Sequence, residues 1–197
     1  MECRRSNHRF SRGIENYDKI LGRNVCENPS ELLRPLVRAS AERIDLARQV
    51  ALAKWDSEAA VEDLVREQQV IQAVVKVAPQ RGLDESFVAN FFRGQIEANK
   101  TVQYVLLADW HRVGRAPVHS LINLGATVRP QLDALETEIL DNLKNVSDMR
   151  ESPNCQAALA TAVGVYLKRQ KDRTDNLDAI ALDRSMASFC AAPVAKS

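Results

Sequence analysis

Residues 36–54, LVRASAERIDLARQVALAK, decide how this chain folds. Leu36, Arg43 and Val50 are spaced by seven, and Ala47, Val50, Ala51 and Lys54 complete the same stripe. The period is that of an α-helix, and Arg43 stands where an amphipathic helix puts Leu. A helix buries an isolated charge only when something pairs with it. Arg43 and Lys54 are three turns apart, roughly 16 Å along the axis, with the small residues Ala47, Val50 and Ala51 between them. Two long cationic side chains over so shallow a floor can converge on one small anion. A snorkelling Arg and a helix-end Lys on a half-exposed face fit the same spacing.

Two further stretches extend the pattern. Asp63, Arg66, Glu67 and Val70 follow i, i+3, i+4, i+7 and make one largely polar stripe. Val61, Leu64, Val65, Ile71, Val74 and Val75 are the apolar cover elsewhere on the same helix. Asp63 and Arg66 at i, i+3 also have the spacing of an ordinary surface ion pair. Phe91, Phe92, Gln95, Asn99, Gln103, Leu106 and Trp110 form a third stripe whose middle is three amides bracketed by aromatics and Leu. Amides on an apolar face need partners, and a polar ligand is one candidate.

Helix boundaries can be read from caps and breakers. Asn28-Pro29-Ser30-Glu31 reads as an N-cap with Pro at the first helical position, opening a long helix toward Trp55 that Pro35 is expected to kink. A second helix runs from about Ala59 to Ala78 before Pro79, and a third, capped by Asp84, reaches about Arg112. Residues 113–127, with Gly114, Pro117 and Gly125, read as a loop. Pro130 starts a helix carrying Leu132, Leu135, Ile139 and Leu143, Ser152-Pro153 opens another through Arg169, and the last spans about Asp175 to Phe189. The expected fold is all-α: a single-domain bundle of about six helices over 28–197, preceded by a flexible basic tail over 1–27.

Composition narrows the function. The chain has 197 residues, 45% hydrophobic, with only 7 Gly and 7 Pro, enough for one helical core. Its net charge of +1 argues against a nucleic acid or a membrane surface as the main partner. Arg4, Arg5, Arg9, Arg12, Lys19 and Arg23 make the start basic but without the aromatic interleaving of a binding element. His8, His111 and His119 show no metal-ligand spacing, so no metal is expected. No Gly-rich phosphate loop and no nucleophile elbow is present.

The ordered set Ala41-Glu42-Arg43, Ala53-Lys54-Trp55, Asp63 through Gln69, then Asn99 and Gln103, resembles the all-helical, type II chorismate mutases. Arg129, within Ala126-Thr127-Val128-Arg129-Pro130, and the late Cys155 and Cys190 resemble the secreted subclass. The resemblance runs from about Ser30 to Cys190. It implies that Arg43 and Arg129 bind the two carboxylates of chorismate, that Lys54 donates to the ether oxygen and a carboxylate, and that Gln103 is the second donor to that oxygen. Arg66 then completes a cationic ring, Glu67 accepts the substrate hydroxyl, Asn99 sits by a carboxylate or ring edge, and Asp63 holds its cationic neighbours. Some secreted relatives carry Glu and Thr where this chain has Gln103 and Asn99, and Gln where it has Val70. In those positions the chain looks more like the intracellular subclass. No cofactor is implied, and relatives of this subclass are commonly homodimers with each site inside one chain.

The chemistry suits these residue types. Chorismate becomes prephenate by a Claisen rearrangement, in which a carbon–oxygen bond breaks as a carbon–carbon bond forms, with no nucleophile and no obligatory proton transfer. Guanidinium forks select the compact conformer, and fixed donors meet the negative charge that grows on the ether oxygen. Two other readings remain open. An isochorismate pyruvate lyase would use the same basic stripe, and a non-catalytic helical protein would bind a partner helix through an exposed Arg43 and Lys54.

Within the resemblance, Cys155 and Cys190 are a disulfide pair, and an antiparallel arrangement of the last two helices would bring them together. Two buried free thiols are the alternative. A disulfide implies an oxidising compartment, hence a secreted or periplasmic protein. Residues 1–28 contain no apolar run long enough for a signal peptide, and Arg4-Arg5 is not followed by one.

Overall fold

The computed structural model describes residues 28–170 and 175–191. The basic stretch 1–27 and the last residues of the expected domain lie outside these. The described residues form six α-helices and no strand: α1 (Pro29–Ser57), α2 (Leu64–Val77), α3 (Glu85–Val113), α4 (Arg129–Asn145), α5 (Cys155–Arg169) and α6 (Asn176–Met186).

The two N-caps expected from the sequence, Asn28 and Asp84, both form, and left-handed residues close the C-terminal ends of the same two helices. Asn28 accepts from the backbone N–H of Ser30 at 3.2 Å, with Pro29 at the helix start, and Asp84 accepts from Phe87 N–H at 2.7 Å. Glu58, at φ 54°, closes α1 in the left-handed region by sending its N–H back to Lys54 and Trp55 carbonyls. Gly114, at φ 74°, closes α3 in the same way onto Trp110. Pro35 removes one backbone donor, yet α1 continues as helix without interruption across it.

Two of the helices, α1 and α3, are 29 residues each and run through the centre of the molecule. α1 packs against α3, α4, α5 and α6, while α2 lies on α3. Their shared face buries Leu33, Leu36, Ile44, Phe91, Phe92 and Val102, and α4 adds Ile139 and Leu143. At the far end, Cys155 and Cys190 form a disulfide with their Cα atoms 5.9 Å apart. Arg150 holds the end of the fold by donating from Nε to Phe189 O at 3.1 Å and lying over the Phe87 ring at 3.3 Å.

Three expectations need correction. α2 begins at Leu64, because Asp63 caps it by accepting from Arg66 N–H at 3.0 Å; residues 59–63 form a connecting turn. The cap places Leu64 and Val65 on the outer first turn, 71% and 70% exposed, so they cover nothing. The expected loop contains a π-helical turn, Leu124–Val128, whose Asn123 side chain accepts from Ala126 N–H at 3.0 Å and leads into α4.

Candidate active site

Arg43, Lys54, Asp63, Arg66, Glu67, Asn99, Gln103 and Arg129 line one cavity of about 130 Å³. The structure thus brings together all eight side chains singled out in the sequence, from α1, the 59–63 turn, α2, α3 and the start of α4. Arg43 projects from the core face of α1, and only 4% of the residue is exposed. Its Nε has no hydrogen-bond partner among the described residues, and its Nη2 stands 3.7 Å from Glu136 Oε1. Burial pulls the guanidinium pKa down, Glu136 opposes that, and Arg66 adds to it.

Lys54, in the last turn of α1, donates from Nζ to the carbonyl of Val61 at 2.5 Å. Burial lowers its pKa, with Asp63, Glu67 and Glu62 pulling the other way. An ammonium has three donors, so two remain for the cavity. On α3, Gln103 Nε2 donates to Asn99 Oδ1 at 2.7 Å, and Asn99 Nδ2 donates to Arg43 O at 3.1 Å. This chain of bonds fixes both amides and leaves the second Gln103 N–H for a ligand. Arg66 is only partly covered and pairs with Asp133 at 3.0 Å rather than with Asp63. Arg129 is exposed on the rim at the start of α4.

The third amide of the α3 stripe has a structural role. Gln95 Nε2 donates to Ser40 Oγ at 2.9 Å and Ser185 O at 3.2 Å, tying α1, α3 and α6 together away from the cavity. Two charged lining residues were not anticipated. Lys100 sits beside Asn99 and binds Glu62, Glu67 and Glu97 at 2.9, 3.2 and 2.7 Å, so that α3 holds α2 and the 59–63 turn against itself. Glu136 lies seven positions, two helical turns, after Arg129. Periodicity counted onward from Arg129 would have pointed to it.

The segment leading to Arg129 is tethered by His119, whose Nε2 meets Asp56 Oδ2 at 3.0 Å and whose Nδ1 meets Pro117 O at 2.7 Å. Two acceptors favour the doubly protonated ring, so its pKa is raised, first by Pro117 and then by Asp56. This contribution to stability is complete below the unfolded pKa and is lost as pH rises through the higher folded value. A ring titration by NMR should give a midpoint above that of an unstructured His. A midpoint at or below it would mean the tether does not form.

Among the described residues no helix is long and apolar enough to cross a membrane, and no cluster of His, Cys, Asp or Glu could hold a metal. The model of the family described as "Chorismate mutase type II" matches residues 34–104. A secreted chorismate mutase of Mycolicibacterium smegmatis is 34% identical over 131 residues, 66% of this chain and 72% of that protein. One from Mycobacterium tuberculosis is 29% identical over 163 residues, covering 81% and 79% respectively. The crystal structure of chorismate mutase from Burkholderia phymatum superposes with a TM-score of 0.80 at 40% identity, covering 84% of this chain and all (100%) of that one.

Proposed function

The chain belongs to the type II chorismate mutases and is a chorismate mutase, and from that premise we propose that its cavity drives the rearrangement through Lys54 and Gln103 at the ether oxygen, with Arg43 and Arg129 on the two carboxylates. The observation that carries this reading is Arg43: a buried guanidinium with an unpartnered Nε and an anion held beyond hydrogen-bond distance. A buried cation left short of partners is complementary to a carboxylate that arrives with the substrate. The burial of Arg43 also argues against an exposed surface for a partner helix.

Lys54 and Gln103 are donors fixed before substrate arrives, so they need little reorganisation as charge grows on the breaking bond. Glu67 keeps a buried Oε1 without a partner among the described residues, suited to accept the substrate hydroxyl, while Lys100 holds its other oxygen. Arg66 adds positive charge, Asn99 orients Gln103, and Asp63 supports Lys54. The reaction so described needs no cofactor.

Residues 28–197 are proposed as the catalytic domain, and the homodimer implied by the resemblance is proposed with it; all eight side chains come from one chain, so each protomer would carry a whole site. The relatives' secretion and the Cys155–Cys190 disulfide both mark an exported protein.

Loss of chorismate absorbance, with products separated by chromatography, tests the reading. Prephenate is the expected product, and pyruvate would indicate lyase chemistry instead. Because the Gln103 amide does not titrate, kcat should stay flat across neutral pH. An acidic optimum in kcat with a carboxylate-like midpoint would remove Gln103 from the role of donor.

A further inference from the structure

Glu136 places a carboxylate on the wall of a cavity proposed to receive a dianion. Its side chain is only 11% exposed, and its Oε1 lies 3.7 Å from Arg43 Nη2 without a hydrogen-bond partner among the described residues. The charged groups that bear on it are Arg43 from α1, Arg66 from α2 and Asp133 from α4 itself, and Arg66 already pairs with Asp133. α3 contributes Lys100 to the same cavity, together with the neutral Asn99 and Gln103. Burial pushes the Glu136 acid up, Arg43 and Arg66 pull it down, and Asp133 pushes it up again.

In the structure Glu136 is the counter-charge of Arg43. A substrate carboxylate that takes over Arg43 brings a second anion into the same poorly solvated space, and neighbouring carboxylates there resist being ionised together. We infer that Glu136 is a positioning residue that holds Arg43 in the free enzyme and takes up one proton when the substrate carboxylate replaces it, making binding proton-linked. The inference rests on the carboxylate-binding role proposed for Arg43. The balance is simple: a carboxylate and a solvent proton give the neutral acid, no substrate bond changes, and the proton leaves when product does.

The sign follows from the direction of the shifts. The Glu136 pKa is already above the ordinary value in the free enzyme, and an incoming carboxylate beside it would raise it further. Below the free-enzyme pKa, KM is lowest and independent of pH. Between the two values KM rises by something under tenfold per pH unit, and above the second it levels off, having risen roughly ten- to a hundredfold in all. This dependence belongs to KM, while kcat remains flat.

The test is calorimetric titration of the full chain with prephenate from pH 5 to 8, in pairs of buffers that differ in ionisation enthalpy, beside KM for chorismate over the same range. The expected result is uptake that peaks at roughly half to four-fifths of a proton per site in that range, and a KM that climbs with pH. Glu136→Gln, which keeps the shape of the protonated acid, should show neither. Wild type with no proton uptake and a flat KM would overturn the inference, and needs no variant to do so. Uptake that persists in Glu136→Gln would overturn it too, pointing to Lys54, whose pKa burial lowers. A folded Arg43→Gln protein that binds prephenate as tightly as wild type would instead bring down the carboxylate-binding role of Arg43 itself.

Discussion

Lys54→Ala is expected to lower kcat by at least a hundredfold to a thousandfold while the protein stays folded. Removing one preorganised donor to a developing oxyanion typically costs about 3 to 4 kcal/mol of transition-state stabilisation. Lys54 has the attributes of such a donor: it is fixed by the Val61 carbonyl, partly desolvated, and kept cationic by Asp63, Glu67 and Glu62. Its aliphatic stem leaves the end of α1, where Glu58 caps the helix through backbone bonds that the substitution does not touch. Helix content should therefore be unchanged by circular dichroism. Lys54→Arg should not restore the rate, because a planar fork cannot reproduce a point charge on a short reach to one oxygen. A Lys54→Ala enzyme that kept more than about a tenth of wild-type kcat would contradict the assignment.

The second large effect is on stability. Reduction of Cys155–Cys190, or its replacement by a pair of serines, should lower the unfolding free energy by about 3 to 4 kcal/mol on the loop-entropy account. The bond spans a sequence separation of 35 residues and so restricts a sizeable loop of the unfolded chain. For a chain of this size each kcal/mol moves Tm by about 2 to 4 °C, so a fall of roughly 6 to 16 °C should be seen by calorimetry with and without reductant. The cavity draws no lining residue from α5 or α6, so kcat at room temperature should change little. An identical Tm in the two conditions would mean that the disulfide does not stabilise the fold.

Much of this architecture was legible because its causes are local. Asn28, Asp84 and Pro130 announce helix starts through backbone groups within three residues, and the repeats in α1 and α3 run long enough to separate core from surface. Arg43 and Lys54 were conspicuous because they interrupt an apolar stripe. The errors fall where a local pattern had two physical solutions. The stretch before Leu64 has helical spacing, but Asp63 satisfies the first turn as a cap and ends the pattern there. Gln95, Asn99 and Gln103 share a stripe, and only the hydroxyl of Ser40 and the carbonyl of Ser185, both distant in sequence, divert the first of them to a structural role. Lys100 and Glu136 were missed for the complementary reason. A charged residue in a helix reads as solvated surface until its neighbours from other helices are known.

The order in which the chain supplies its cavity has a temporal consequence. Arg43 and Lys54 come first, Arg66 and Lys100 follow, and Arg129 and Glu136 are added by α4. A chain emerging from a ribosome, or threading through a membrane in the same direction, carries most of its cations before it has the wall that encloses them. On the proposed roles of Arg43 and Arg129, the carboxylate clamp is complete only once α4 has docked on α1, so it belongs to the assembled bundle and not to any one helix as it forms.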